Sequence, residues 1–150
     1  MSGLSRRAKK ILAVVIVAAA AAAIAAFISS QKFNLHLKTN RTHEAEQRIQ
    51  AIHAALAQWH EDPNMAKGTI SSDINQVGGD GRTFREHFRS EADWLTSGDA
   101  YYRYGFTHSR LEDGRIVPMV TASARDPRKV KEAMIITQPD GKAAAIKLPE

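Results

Sequence analysis

The sequence predicts an α+β fold in which an N-terminal transmembrane helix precedes amphipathic helices packed on a small antiparallel β-meander of about four strands. Three observations lead to this prediction: an uncharged apolar run near the N-terminus, helical spacing of apolar residues after it, and strand-like runs separated by turns in the last third. A chain of 150 residues has room for one domain of ordinary size beside the apolar run.

The net charge of +5 is concentrated at the N-terminus. Arg6, Arg7, Lys9 and Lys10 precede the apolar run, whereas from residue 31 onward 17 Lys and Arg accompany 16 Asp and Glu. Proteins that bind a nucleic-acid duplex usually concentrate positive charge on the folded domain, so we expect no nucleic-acid partner. The lack of cysteine excludes disulfides, thiolate metal ligands and cysteine nucleophiles.

Residues 11–28 contain no charge, and their 18 positions are near the lower limit for a helix that crosses a bilayer. Alanine, the best helix former, fills the centre of the run. We therefore predict a transmembrane helix here, which makes the membrane the first expected partner. Its strongly apolar side chains are Ile11, Leu12, Val14, Val15, Ile16, Val17, Ile24, Phe27 and Ile28.

Four basic residues before the run favour a cytoplasmic segment at residues 1–10 and an exported α+β domain at residues 42–150. This predicts a single-pass protein of the bacterial inner membrane with a periplasmic or extracellular C-terminal domain. The competing interpretation takes residues 11–28 as a signal-peptide core, because Ala-Ile-Ala fits cleavage after Ala25. Both interpretations predict export, and we favour the retained anchor.

Residues 29–41 are predicted to be a linker or a strand. Within KFNLHLKTN, the apolar Phe33, Leu35 and Leu37 alternate with polar residues, which is the period of a strand. This alternation argues against one continuous helix through the segment.

A helix is predicted after this segment, with Thr42 as its N-cap and its end near residues 60–62, ahead of Pro63. Apolar residues recur at spacings of three and four, which predicts one buried stripe. The predicted packing residues of this stripe are Ile49, Ile52, Leu56 and Trp59.

A further helix is predicted from the capping-box pair Thr83 and Glu86, with Phe84, Phe88 and Leu95 as its packing residues. Strands are predicted at residues 100–108 and 115–123, followed by a hairpin around Pro-Asp-Gly. A proline cannot donate to a strand ladder, so Pro118 is expected at an edge or a bulge.

The sequence contains no constellation typical of a catalytic, cofactor or metal site. His53 and His60 lie seven positions apart on one predicted helix, too far to share one ion without other elements. His108 and Ser109 are neighbours in a predicted strand, where adjacent side chains point to opposite faces. We therefore expect a protein that is not an enzyme, needs no cofactor and binds no small molecule.

The order of elements resembles the type IV pilin and pseudopilin family. The stretch RIQAIHAALAQWHEDPN at residues 48–64 looks like the family's helix end, and YYRYGFTH through PDGKAAAI looks like its terminal strands. The family's processing signal is absent, because Gly3 precedes Leu4 and the fifth position after the glycine is Ala8 instead of glutamate. The resemblance implies a pilin-like domain that is not an ordinary filament subunit.

The function predicted from these features is that of a membrane-anchored envelope protein whose exported domain binds other envelope proteins. It would serve as an accessory or scaffolding subunit of a larger membrane or secretion assembly. Two alternatives remain open: a pilin-like component of a surface fibre or export pseudopilus, and a secreted soluble enzyme or ligand-binding domain released by signal cleavage.

Overall fold

The structure is a computed structural model that describes residues 6–65 and 74–147. The chain divides into two compact units, Met1–Leu37 and Lys38–Glu150. The predicted α+β class is confirmed, because a long helix with an apolar N-terminal part is followed by a four-stranded antiparallel sheet.

The first element is helix α1, Arg6–Glu61, which is 56 residues long. It corrects the prediction of a linker or strand over residues 29–41, because this segment is helical throughout. The alternation of Phe33 and Leu35 with polar residues is short, and both side chains are exposed, so neither packs on a sheet. Strand preference depends on such packing, and no glycine or proline interrupts the helix between residues 4 and 62.

Thr42 also differs from its predicted role, because it lies inside α1 and is buried instead of capping the helix. Its side-chain oxygen accepts the main-chain N–H groups of Lys131 and Glu132, at 3.1 and 3.2 Å. It also contacts the Tyr102 hydroxyl at 3.0 Å. The Tyr102 hydroxyl donates its single proton to the Glu132 carbonyl at 2.7 Å, so the Thr42 hydroxyl is the donor between the two.

The second half of α1 supplies one wall of the hydrophobic core. The stripe residues are at most 1% exposed, and they are Ile49, Ile52, Leu56 and Trp59. Trp59 packs edge-on against Phe84, with ring centroids 5.8 Å apart. The helix ends at Glu61, two residues before Pro63, as proline's restriction of the preceding residue requires.

Two short helices replace the single helix predicted after Thr83. Helix α2 is Phe84–His87 and helix α3 is Arg89–Ser97, and Phe88 lies between them with φ −129° and ψ 64°. Both hydrogen bonds of the predicted capping box between Thr83 and Glu86 are present. Phe84 is fully buried, while Phe88 and Leu95 are partly buried against the core.

The sheet has the order β1-β2-β3-β4, and all its pairs are antiparallel. Its strands are β1 Tyr102–Arg110, β2 Ile116–Ala124, β3 Met134–Thr137 and β4 Ala143–Ala145. Buried residues of the first three strands join the same core cluster as the α1 stripe: Tyr102, Tyr104, Val120, Ala122 and Ile135. Consecutive strands therefore form a meander with one face on the core.

Pro118 lies in β2, an inner strand, opposite His108 of β1. Strand β3 pairs only with Thr121–Ser123 of β2, so it does not extend to Pro118. The missing N–H therefore breaks no ladder bond on that side. The expectation of an edge position holds locally, although β2 as a whole is not an edge strand.

Candidate functional site

The apolar run of α1 is the first candidate functional surface. An 18-residue window of the helix has a mean hydropathy of 3.0, and none of it is buried. All nine strongly apolar side chains between Ile11 and Ile28 are exposed, from 48% at Leu12 to 69% at Val17. Arg6 lies in the first turn of α1, and Arg7, Lys9 and Lys10 follow directly. The helix is thus long and apolar enough to cross a membrane.

Exposure of this run has a large physical cost in water, because apolar surface gains roughly 25 cal/mol for each Å² removed from solvent. Soluble proteins rarely expose a continuous apolar patch of this extent, and such patches mark contact with lipid or protein. A retained anchor and a signal sequence both fit this length and composition.

A polar cluster in the folded unit is centred on Asp99, between α3 and β1. Its Oδ1 accepts the main-chain N–H groups of Tyr101 and Tyr102, both at 2.7 Å. Its Oδ2 accepts hydrogen bonds from the Tyr104 hydroxyl and the Arg48 guanidinium. The Asp99 side chain is 16% exposed, so the carboxylate is largely shielded from water and its four donors replace its hydration.

These contacts set the ionisation of the cluster. Burial disfavours the carboxylate, but hydrogen bonds from Tyr104, Tyr101 and Tyr102 and the charge of Arg48 outweigh it and lower the pKa of Asp99. Burial and the hydrogen bond to Asp99 together raise the pKa of the Tyr104 hydroxyl. The carboxylate is therefore ionised and fully bonded at neutral pH, which suits a structural role.

Two arginines of α1 stack on aromatic rings beside this cluster. The Arg41 guanidinium lies 4.2 Å from the ring centre of Tyr101 and donates to the Lys129 carbonyl at 2.9 Å. The Arg48 guanidinium lies 5.6 Å from the ring centre of Trp94. Together these contacts attach α1 to the end of α3 and to the loop before β3.

The histidines do not form a shared metal site in the part of the chain that the structure describes, where no group of three or more His, Cys, Asp or Glu side chains converges. The His60 and His108 rings are 6.5 Å apart, and His53 lies against Gly141. Burial lowers the pKa of His53 and His108, and His60 lowers that of His108 further. Both His53 and His108 thus favour the neutral form.

The aromatic residues of β1 lie on the core side of the sheet. Tyr102 and Tyr104 are at most 7% exposed, so their ring faces are covered by the core and not open to a stacking ligand. Arg103, between them, lies on the opposite face and is exposed. The side chains of this strand therefore offer no aromatic platform at these two positions.

The main-chain groups of β1 alternate in direction along the strand. Leu111 N–H bonds to Arg115 and Arg125 N–H bonds to Tyr101, in the same register as the strand pairs. The odd-numbered residues of β1 therefore direct their N–H and C=O groups to β2, and the even-numbered residues direct theirs away from it. At Tyr102 these outward groups bond to Asp99.

Beyond Tyr102, the outward N–H and C=O groups of four residues have no hydrogen-bond partner within residues 6–65 and 74–147. These residues are Tyr104, Phe106, His108 and Arg110. We call this row the β1 edge. A groove of about 350 Å³ runs beside it and is lined by Ile74, Leu95, Thr96, Tyr104, Gly105 and Phe106.

Sequence reasoning missed both the Asp99 cluster and the β1 edge. TSGD signalled only the end of a helix, although aspartate directly after a glycine is a common main-chain acceptor in turns. The partnership of Asp99 with Arg48 spans 51 positions and leaves no local pattern in the sequence.

Comparison of the chain with protein-family models, curated proteins and solved structures finds no match.

Proposed function

We propose that the chain is a membrane-anchored envelope protein whose exported domain binds other envelope proteins as an accessory or scaffolding subunit. The apolar run of α1 anchors it, and Arg6, Arg7, Lys9 and Lys10 hold the N-terminus on the cytoplasmic side. The domain at residues 42–150 lies in the periplasm or outside the cell. The proposal includes neither a reaction nor a cofactor.

The observation that carries the proposal is that no residue in the apolar window of α1 is buried. A core helix of a soluble domain would bury such a stripe against its own fold. Here the folded unit has its core at the other half of the helix, around Ile49 and Trp59. A lipid bilayer supplies the apolar environment that the exposed run requires.

Carbonate extraction of membranes, with N-terminal sequencing of the full-length protein, tests the anchor. We expect the chain in the membrane pellet with its initial residues intact. A mature chain beginning at Ala26 in the soluble fraction would contradict anchoring and favour a secreted domain. Val15→Lys combined with Ile16→Lys should release the protein from the pellet, because a lysine within a membrane span costs up to about 2.5–3.5 kcal/mol, the value at the centre.

Leu35→Lys is the matched control, because Leu35 is also exposed on α1 but lies outside the apolar run. This variant should remain in the pellet. Release of both variants to the same extent would show that the double change acts through general destabilisation instead of through the membrane.

A second candidate is a pilin-like component of a fibre or pseudopilus. The observation that favours it is the unbroken helix from Arg6 to Glu61, since the sequence pattern had argued against a continuous stem. Cleavage after Gly3 with a new N-terminus at Leu4 would support this candidate over a permanent anchor. Recovery of sheared fibres that contain the chain would be the second requirement.

A further inference from the structure

Positive charge is concentrated in the loop that joins β2 to β3. Residues 125–131 of this loop, RDPRKVK, contain four basic residues and one acidic residue. Residues 38–150 together hold 16 Lys and Arg and 16 Asp and Glu, so the side chains of the folded unit carry no net charge. The loop therefore makes the charge distribution of this unit strongly uneven.

Two contacts bring this loop against basic residues of α1. The Arg41 guanidinium donates to the Lys129 carbonyl at 2.9 Å. The hydroxyl of Thr42 accepts the main-chain N–H of Lys131 at 3.1 Å. Lys38 lies four residues before Thr42, about one helical turn, and so on the same side of α1. We give the name basic patch to Lys38, Arg41, Arg128, Lys129 and Lys131.

The charges of the loop part of the basic patch face solvent. Lys129 and Lys131 are exposed, and the Arg128 side chain is 90% exposed. The three acidic residues that border the patch are Asp126, which accepts from Arg128, and Glu46 and Glu132, which lie beside Lys131. Five basic residues thus outnumber three acidic ones, and a layer of negative charge is complementary to this surface.

We infer that the basic patch binds the phosphate groups of anionic phospholipids at the surface of the membrane in which the chain is anchored. This inference rests on the proposed function, because the anchor brings the chain to that bilayer. Each Lys or Arg near an anionic surface favours contact by about fivefold. Since the anchor holds the headgroups at a high effective concentration, a few such contacts are enough without a deep pocket.

The length of the chain is compatible with this contact. Lys38 follows Ile28, the last residue of the apolar run, by ten residues, which rise about 15 Å in a helix. Headgroups extend roughly 5–7 Å beyond the hydrocarbon core of a bilayer, and physiological salt screens charge over about 8 Å. These two lengths add up to nearly the rise of the ten residues, so the start of the patch is within electrostatic reach of the headgroups.

Fluorescence quenching in lipid nanodiscs tests the contact. The chain has no cysteine, so Pro127→Cys, at an exposed position beside the patch, takes a single dye. The full-length protein is placed in discs of phosphatidylcholine, with or without phosphatidylglycerol, in which some headgroups carry a nitroxide quencher. We expect stronger quenching in the anionic discs, and loss of this difference at high salt because the contact is electrostatic.

Two double variants in the labelled chain isolate the patch. Lys129→Gln with Lys131→Gln removes two of its charges. Arg110→Gln with Lys142→Gln removes two exposed charges at the β1–β2 and β3–β4 turns, away from the loop. We expect the first pair to lower the equilibrium constant for contact about tenfold or more, and the second pair to change it less than about twofold. Thermal unfolding checks the fold of both pairs, while the lipid and salt comparisons need neither.

Three results would overturn the inference. The first is equal quenching in anionic and neutral discs, which would turn attention to an acidic protein as the partner. The second is an equal effect of the two double variants. The third is equal or stronger quenching of a dye at Glu112→Cys in the β1–β2 turn, which would bring the opposite end of β2 to the membrane.

The anchor is scored separately, by recovery of the intact chain in the discs. If the chain begins at Ala26 and is soluble, its sedimentation with phosphatidylglycerol vesicles replaces the quenching measurement. Sedimentation that Lys129→Gln with Lys131→Gln abolishes would contradict only the anchor, whereas a lack of sedimentation would contradict both proposals.

Discussion

At the scale of single residues, Asp99 connects α1 to the first strand of the sheet. Its carboxylate joins Arg48 of α1 to Tyr104 of β1 and holds two amides at the start of that strand. Because all these donors are largely shielded from water, loss of the shared acceptor leaves several of them unpaired. The residue therefore contributes to stability beyond what one surface ion pair would.

Asp99→Asn is expected to lower the free energy of unfolding by about 2–4 kcal/mol, because an amide cannot accept from Arg48 and Tyr104 with the same charge and geometry. Urea unfolding followed by tryptophan fluorescence measures the change. The control is Asp113→Asn in the exposed β1–β2 turn, where the carboxylate accepts from neighbouring Arg115 at the surface. Equal destabilisation by the two substitutions would contradict the central role of Asp99.

The lowered pKa of Asp99 gives the pH dependence of this stabilisation. The unfolded chain binds a proton at a higher pH than the folded chain, so stability from this group is fully present above the unfolded pKa of about 4. It is lost as pH falls through the lower, folded pKa. We expect the stability difference between the original chain and Asp99→Asn to shrink below about pH 4 in urea titrations. A constant difference at pH 3 and pH 7 would contradict this.

His108 also causes stability to fall as pH falls, at a higher pH than Asp99 does. The cause is that burial and His60 lower the pKa of His108 below the ordinary value. The contribution of His108 to stability is therefore fully present above about pH 6.5 and is lost as pH falls below it, because the unfolded chain binds a proton at a higher pH than the folded chain. His108→Gln should flatten this loss between pH 7 and pH 5, measured by thermal unfolding. A slope for His108→Gln equal to that of the original chain would contradict this.

At the scale of elements, α1 is fixed to the sheet by the buried hydroxyl of Thr42. Thr42→Val keeps the shape of the side chain but leaves the N–H groups of Lys131 and Glu132 without their acceptor. We expect a loss of about 2–3 kcal/mol in the free energy of unfolding, measured by urea titration. Thr107→Val on the exposed face of β1 is the matched control, and a loss of similar size there would contradict the argument.

Element types were predictable wherever the sequence carried a complete local signal. The Thr83–Glu86 capping box, the proline after α1 and the Pro-Asp-Gly turn each specify their own backbone. Gly141, in the last of these, has φ 83°, a value that favours glycine. The break at Phe88 and the helical state of residues 29–41 were not predictable, because short apolar patterns acquire meaning only from what packs against them.

The candidate sites were predictable to a different degree. Composition and length were enough to predict the apolar run, because the thickness of the bilayer sets the length that a spanning helix requires. The β1 edge was not predictable, because aromatic alternation in YYRYGFTH reveals a strand but not whether a neighbour pairs with each side. Thr42 was placed at a helix start by its local preference, although its hydroxyl serves residues almost 90 positions away.

At the scale of the whole molecule, the apolar run and the hydrophobic core belong to different compact units of the chain. No residue of the apolar window is buried, so Val15→Lys with Ile16→Lys removes no packing. We expect the urea midpoint of the folded unit to be unchanged in the released double variant, whereas Trp59→Ala should lose about 3–5 kcal/mol. A large shift in the double variant would show that the run supports the core.

The order of the core residues along the chain also has a consequence for synthesis. The α1 stripe ends at Trp59, but Ile135, which helps to cover it, is made roughly 75 residues later. At ribosomal rates of about 5–20 residues per second, the stripe stays incompletely covered for about 4–15 s. The core cannot close before the last strands are made. During that interval the nascent chain presents a second exposed apolar segment to chaperones, in addition to the apolar run of α1.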